Sequence, residues 1–549
     1  MTSSHPATPE QKLNKYLYLL PYTLIALALL AFIGYFIVYN IYAAALFQFP
    51  FDYDQGEGFE LMDTVLFSQG EWPYRDNDHY PFYSSNYPPL FHVIIVPLVW
   101  LFGPQYWTGR LVGYLGTLIT AATIGYAVQR QGKRWWLSLI AGLAFLASNY
   151  VYHVGPLFRQ HMFMVMFETA AVVLLTVFIE REEKSGRNSD SRQTNRGLAI
   201  ILLLLLLAGY TKQLAYATVI AVFLFLFLRQ PKRAVIWAVP FAAVTGAVFL
   251  AIDLATNGQW QLNTVTANLN PFIPEQAIGL FRQWFNLHTV LIFLAGLYAA
   301  YQLYFERLSL YSIWFVVTVV NSISAGKWGA GESYFATSIA AACILSGLLL
   351  NRTLDWSRRR SPKLHYAWLT LIPILLLIQA DKVFHMPTHT PALKSIAAAL
   401  GKPTEVMIPP QTSCSDGRPP VPIPYVDSAG ITLLGRPPNA QDTAAGISIA
   451  NFILEGETAA FSEEAGFNFY AGRDVITNPT QLLNLYNNNE VDLSEMLSML
   501  DSQSFDTIIF RAQFYPPPVL DVIGQRYETT NLVEMNGFVY CIMRPRSQP

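Results

Sequence analysis

Runs of residues long and apolar enough to cross a bilayer recur through the first 380 positions, and they leave this chain few folds to choose from. A spanning helix needs roughly 20 predominantly apolar residues. Runs of that kind fall near 17–41, 108–128, 136–152, 162–180, 197–211, 214–229, 234–253, 284–305, 309–325, 333–350 and 365–380. Hydrocarbon offers a backbone no hydrogen bonds, so a spanning segment must be a helix or part of a closed barrel. Continuous rather than alternating apolar runs select helices. The expected fold is therefore a polytopic α-helical membrane protein with about eleven transmembrane helices. Composition agrees, because 53% of the 549 residues are hydrophobic and only 13% are charged, against about 25% in soluble domains. A net charge of −2 argues against a general nucleic-acid binder.

Basic residues orient the spans. Clusters at Lys12/Lys15, Arg130/Lys133/Arg134, 181–196, Arg229/Lys232/Arg233, Arg307 and 352–363 hold more than half of the chain's 35 Lys and Arg. They alternate with loops that hold one or two cations each. The positive-inside rule then puts the N-terminus in the cytoplasm. Residues 1–16 read as an irregular cytoplasmic tail, and the first apolar run reads as an anchor that stays, being too long for a signal-peptide core. The apolar segment 88–103 (PPLFHVIIVPLVWLFG) is short and carries prolines. If it spanned, the Arg130 cluster would face outward, so it is expected to lie in or re-enter the outer interface. The first outer loop then covers 43–107, far longer than a connector needs.

Composition shifts after Asp381. Residues 387–439 are rich in Pro, Gly and Ser and suggest a linker or irregular lobe. Beyond them, 440–454 and 481–500 read as helices, and 506–511 (DTIIFR) and 537–544 (GFVYCIMR) as strands. Residues 381–549 are thus expected to form an extracytoplasmic α/β domain behind a membrane domain at 17–380. It shows no Gly-rich phosphate loop, nucleophile elbow or metal-ligand cluster. The three cysteines are too few for a disulfide framework. Cys343 reads as core, and Cys414 and Cys541 can pair in the exported part.

The candidate chemistry gathers at the outer ends of the spans. The first loop holds 52–58 (DYDQGEG), then Glu60, Asp63, Glu71, Asp76 and Asp78. Glu71, Asp76 and Asp78 read as solvated surface charge. Asp54 and Glu57 differ, because they sit among glycines before a helix-like run at 59–69, near the membrane plane. A carboxylate there can take a proton from an acceptor hydroxyl. Asn86-Tyr87-Pro88-Pro89 reads either as a rigid turn or as a pocket floor. Tyr80, Tyr83, Tyr87 and Trp72 are weak candidates for stacking on sugars. Lone cations mark outer span ends at Arg110, Arg159, Lys212, Arg282 and Lys327. Arg159 comes with Gln160 and His161, Lys212 with Gln213, and Lys327 with Glu332. Snorkelling explains single cases, whereas several converging cations suit a phosphate. Glu168 would lie inside a span, where an ionisable group is either functional or bonded to a neighbouring helix.

The order of these motifs resembles a known family. DYDQGEG is followed by WPYRD (72–76), NYPPLF (86–91) and FGP…GRL (102–111), then TKQ (211–213) and GKWGAGESYF (326–335). SEEAGF…AGR (462–473) and FDTII (505–509) follow in the soluble part. The chain resembles the C-type membrane glycosyltransferases (GT-C fold), in particular the bacterial family-39-like branch of protein mannosyltransferases and aminoarabinose transferases. The resemblance implies a multi-pass enzyme of the bacterial inner membrane. Its donor would be a sugar on a polyprenyl phosphate, and its acceptor a hydroxyl on a glycan, lipid or protein, attacked with inversion. It implies Asp54 or Glu57 as base, and Arg159, Lys212 and Lys327 on the donor phosphate. Asn86, Tyr87, His161, Gln213 and Glu332 would complete the pocket. Many relatives carry an acidic residue where this chain has His161, and Asn where it has Ser333, so a divalent metal stays open. A lipid or lipid-linked-sugar flippase is the alternative, but it would call for repeats and broken spans near the midplane. A receptor needs no such number of spans.

Overall fold

The computed structural model describes residues 9–185, 191–383, 395–396, 398–401, 437–536 and 538–547. Each expected span is helical over most of its length, although 136–152 breaks at Ser148 and 309–325 ends in a 3-10 turn from Ser322. Among the described residues, seven helices are long and apolar enough to cross a membrane, among them Tyr106–Gly132, Pro231–Ala255 and Pro274–Phe305. The four remaining runs are the shorter apolar helices Trp135–Ala147, Asn195–Thr211, Gln213–Arg229 and Leu310–Gly326. The first helix begins at Pro9 and continues to Gln48, so the expected irregular tail is helical from its ninth residue.

Helix Ala336–Arg360 is the hub of the bundle, packed against Tyr106–Gly132, Trp135–Ala147, Pro274–Phe305, Leu310–Asn321 and Pro362–Lys382. Its sequence explains the position. Ala336, Ser338, Ala340, Ala341, Ala342, Ser346 and Gly347 are small, and small residues let helix backbones approach in lipid. A Cβ on Gly347 would stand 2.7 Å from Val128.

Ion pairs mark one end of the bundle. Arg134 pairs with Asp355, Arg130 with Glu180, and Arg233 with Glu182. At the opposite end several helices stop short and give way to irregular backbone at 148–160, around Lys212 and at 322–335. Non-helical backbone at such depth is tolerated where protein encloses it or it lines a cavity, and here it lines one. The segment Leu90–Phe102 is a 13-residue helix, about 20 Å long at 1.5 Å per residue and the same length as Trp135–Ala147. It leaves from Tyr87 and returns at Tyr106, whose hydroxyl donates to Asp52 at the same end of the bundle.

The C-terminal part is a four-stranded sheet in the order β1-β2-β4-β3: β1 Phe461–Ser462, β2 Ile508–Phe510, β3 Tyr527–Met535 and β4 Phe538–Pro545. β1 and β2 are parallel, with Phe461 opposite Ile508, and the other pairs are antiparallel. Helix Ala440–Leu454 forms as expected, but the run expected at 481–500 is two helices, Pro479–Asn487 and Ser494–Asp501. Three consecutive asparagines and a left-handed Asn489 break it. β3 went unread in the sequence because it is an edge strand, largely exposed and polar. The expected linker at 387–439 lies almost wholly outside the described residues, and so does Cys414; Cys541 is disulfide-bonded and Cys343 is free.

This unit docks on the first loop. Phe82 of the loop enters the apolar core formed by Phe461, Leu482, Leu500 and Ile508. Asp52 accepts from Gly58 N, Gly466 N and the Tyr106 hydroxyl, at 2.6, 2.9 and 2.6 Å. A Cβ on Gly466 would lie 2.6 Å from the Asp52 carboxylate, so the contact requires glycine there. Glu464, from the SEEAGF motif, is buried against Arg511 and the Tyr540 hydroxyl.

Candidate active site

A pocket of about 210 Å³ opens where the span ends give way to irregular backbone, and residues from seven stretches of sequence meet in it. The first helix ends in the acidic motif, and Arg110 sets its course. This fully buried arginine donates to the carbonyls of Leu46, Phe49 and Phe51 and, through Nε and Nη2, to Glu57 at 2.9 and 2.8 Å. Glu57 also accepts from the backbone N–H groups of Tyr53, Asp54 and Phe158. Both side chains are 0% exposed. Glu57 therefore folds the loop and presents no face to the pocket, whose lining excludes it. The signal was absent from the local sequence, because its partner lies 53 residues away.

Asp54 does line the pocket. Its Oδ2 accepts from Arg159 Nε at 2.8 Å and lies 2.7 Å from Nη2, with the side chain 24% exposed. Arg159 also donates to the Gln55 carbonyl and contacts Glu60 at 3.3 Å. Gly56 makes this possible: its φ is 118°, and a Cβ would sit 2.7 Å from the Arg159 guanidinium. Arg159 thus arrives already shared between two carboxylates.

Lys212 is the other cation of the pocket and is only 3% exposed. Its Nζ donates to His161 Nδ1 at 3.1 Å, which leaves His161 Nε2 to donate to the Ser333 hydroxyl at 3.0 Å. The ammonium lies 4.6 Å from the centre of the Tyr87 ring and 5.7 Å from that of Tyr334. No carboxylate hydrogen-bonds it among the described residues. Burial pulls its pKa down to about 7, an effect that the nearby Glu60 charge partly offsets.

Asn86, Tyr87, His161 and Glu332 also line the pocket, as do Trp328 and Phe514, whose rings meet edge to face at its mouth. Lys327 and Gln213 do not. The Lys327 side chain is exposed beside Trp328, and Gln213 donates to the carbonyls of Asn86 and Thr264, bracing the wall from behind. Arg282 is exposed outside the lining. Of the loop aromatics, Tyr83 is buried with its hydroxyl on Asp63, and Trp72 and Tyr80 are exposed. Glu168 lies within its span, accepting from the Thr218 and Thr337 hydroxyls at 2.5 and 2.7 Å.

Two lining carboxylates to which the sequence reading assigns no role are central here. Glu60 and Asp63 stand one turn apart on helix Glu57–Ser68, both buried, and face His92 of the next helix. One ligand atom from each of the three falls within 4.8 Å of the others, a spacing that can hold a metal ion. Glu60 Oε2 and His92 Nε2 are buried without a hydrogen-bond partner. Burial raises the Glu60 pKa to about 7 against the pull of Arg159 and Lys212, and raises that of Asp63 well above the usual range. The i, i+3 acid spacing was the available signal.

No protein-family model and no curated protein sequence matches the chain. Solved structures do. ArnT from Cupriavidus metallidurans in the apo state aligns with TM-score 0.56 at 13% identity, over 93% of this chain and 97% of that one. The same protein bound to undecaprenyl phosphate aligns with TM-score 0.55, at 13% identity and the same coverage. An Archaeoglobus fulgidus oligosaccharyltransferase tethered to an acceptor peptide aligns with TM-score 0.50 at 12% identity, over 90% of this chain and 72% of that one. The chain has the GT-C fold that these membrane proteins share.

Proposed function

We propose that this protein transfers a sugar from a polyprenyl-phosphate donor to an acceptor hydroxyl in the pocket around Asp54, on the extracytoplasmic side of the bacterial inner membrane. One observation carries the reading: Asp54 beside Arg159 and Lys212 lodged between two tyrosines meet in one pocket at the end of the bundle poor in basic clusters. A donor whose lipid tail stays in the bilayer presents its phosphate at that depth. Support also comes from the shared fold and from the undecaprenyl phosphate bound by the ArnT structure.

The chemistry needs a base and a place for negative charge. Asp54 would accept the acceptor hydroxyl's proton as its oxygen attacks the anomeric carbon. The bond from that carbon to the phosphate oxygen breaks in the same displacement, which inverts the centre. The leaving lipid phosphate gains charge, and Lys212 is the cation without a carboxylate bond to meet it. Arg159 would orient Asp54 and share its charge with the phosphate. The buried acids also support a cation. Glu60 Oε2 and His92 Nε2 have no hydrogen-bond partner, and a divalent ion held by Glu60, Asp63 and His92 would meet them and favour the ionised carboxylates that burial otherwise disfavours. Such an ion would supply further positive potential for the phosphate. The charged groups collect at one face, not at the midplane where a transporter's sites lie.

Two outcomes follow. Undecaprenyl phosphate should bind the purified protein more tightly below pH 7 than above it, because a Lys212 with a pKa near 7 must take up a proton to face an anion. Calorimetry in buffers of different ionisation heat should record that uptake, and Lys212→Met should bind roughly tenfold or more weakly, with the pH dependence lost. Equal affinity in wild type and variant would remove Lys212 from the donor site. Elemental analysis should find a divalent metal in the wild type, and His92→Ala should lose most of it while keeping its thermal unfolding temperature within a few degrees. Unchanged metal content in that variant would rule out the cluster as its site.

A further inference from the structure

A second cavity, of about 850 Å³, lies at the other end of the bundle, between the last turns of helices 106–132, 274–305 and 336–360. Its walls change character along helix 336–360. Leu348 and Leu349 stand on the inner turns, with Tyr298 across from them, and Arg352, Arg359 and Arg360 stand toward the helix end. Arg352 is held in place: its guanidinium lies 4.7 Å over the Tyr301 ring, donates to the Tyr301 hydroxyl at 2.9 Å and pairs with Glu306. Arg359 and Arg360 are exposed and pair with no carboxylate among the described residues. Arg360 lies 6.0 Å over the Trp356 ring. Asp355, the carboxylate of the wall, is taken by Arg134 at 2.7 Å. Gln131, Asn351 and Thr353 complete the lining, so the cavity joins an apolar patch at Leu348 and Leu349 to an aromatic side and a cationic end, with polar groups between them.

We propose that this cavity binds the phosphate of an anionic phospholipid, with an acyl chain against Leu348, Leu349 and Tyr298. Free phosphate offers the same charge, but it would fill a small part of the space and leave the apolar wall uncovered. Helix 274–305, which forms one wall, exposes Leu297, Leu303 and Tyr304 beside the cavity, an apolar surface suited to acyl chains. The basic end is also the end that the charge pattern assigns to the cytoplasmic leaflet, where anionic lipids and basic residues attract each other. This inference stands apart from the chemistry at Asp54.

Native mass spectrometry of the full chain in detergent tests it, with phosphatidylglycerol and phosphatidylcholine offered in equal amounts. Wild type should retain phosphatidylglycerol preferentially. Arg359→Gln/Arg360→Gln should retain it about tenfold less, and Arg358→Gln, outside the wall, should match wild type. Arg359→Lys/Arg360→Lys should keep most of the binding, which separates lost charge from lost fold. Retention by the double Gln variant equal to wild type overturns the proposal. Displacement of phosphatidylglycerol by millimolar inorganic phosphate, with no preference between the two lipids, would assign the site to free phosphate and overturn the lipid reading.

Discussion

Asp54→Asn is expected to lower the rate of sugar transfer by roughly 10²–10⁴-fold, the range for losing a general base, with little change in the donor KM. The substitution keeps the size of the side chain and an oxygen that can accept from Arg159, now at 2.8 Å, but removes the proton-accepting charge. The side chain is 24% exposed and its pair with Arg159 reaches the surface of the pocket, so little folding energy rides on it. A split in which kcat falls and the KM holds marks a group used in the transition state. Equal loss of both kcat and unfolding temperature would instead mark Asp54 as structural.

Glu57→Gln should do the reverse. The carboxylate takes two bonds from Arg110 and three from backbone N–H groups in a site closed to solvent. Gln offers one acceptor oxygen and turns an amide N–H toward a guanidinium. Arg110 is then a buried cation without its counter-charge, and breaking such a pair costs about 3–5 kcal/mol. Thermal unfolding in detergent should fall by many degrees, and the variant should accumulate poorly in membranes. Because Arg110 also holds the carbonyls of Leu46, Phe49 and Phe51, the loop carrying Asp54 should loosen with it. A Glu57→Gln protein as stable as wild type yet inactive would return Glu57 to the chemistry.

The contrast between these two acids shows what a sequence of this kind can express. Spans are legible because lipid imposes length and apolarity on every one, and charge at their ends repeats the message. The acidic motif, Asn86, Tyr87, Arg159, His161, Lys212 and Glu332 could be read as one face for the same reason: each sits where a run stops. Asp54 and Glu57 are three residues apart with similar neighbours, and only a partner 53 positions on decides which is enclosed. Glu60 and Asp63 take no role from the sequence because helix spacing alone does not say that His92 packs against them. Lys327 follows the pattern of the other lone cations, but its side chain is exposed outside the lining. Phe514 at the mouth comes from the C-terminal unit, nearly 200 residues from the Trp328 it touches, and no local pattern announces such a contact.

The most direct test is transfer itself: full-length protein in lipid nanodiscs, a polyprenyl-phosphate sugar labelled in the sugar, and candidate acceptor hydroxyls offered in turn, water included. The account predicts that label leaves the lipid, appears on the acceptor with inverted anomeric configuration, and stays on the lipid with Asp54→Asn. Label that leaves the lipid equally fast with Asp54→Asn, or a product of retained configuration, would contradict it.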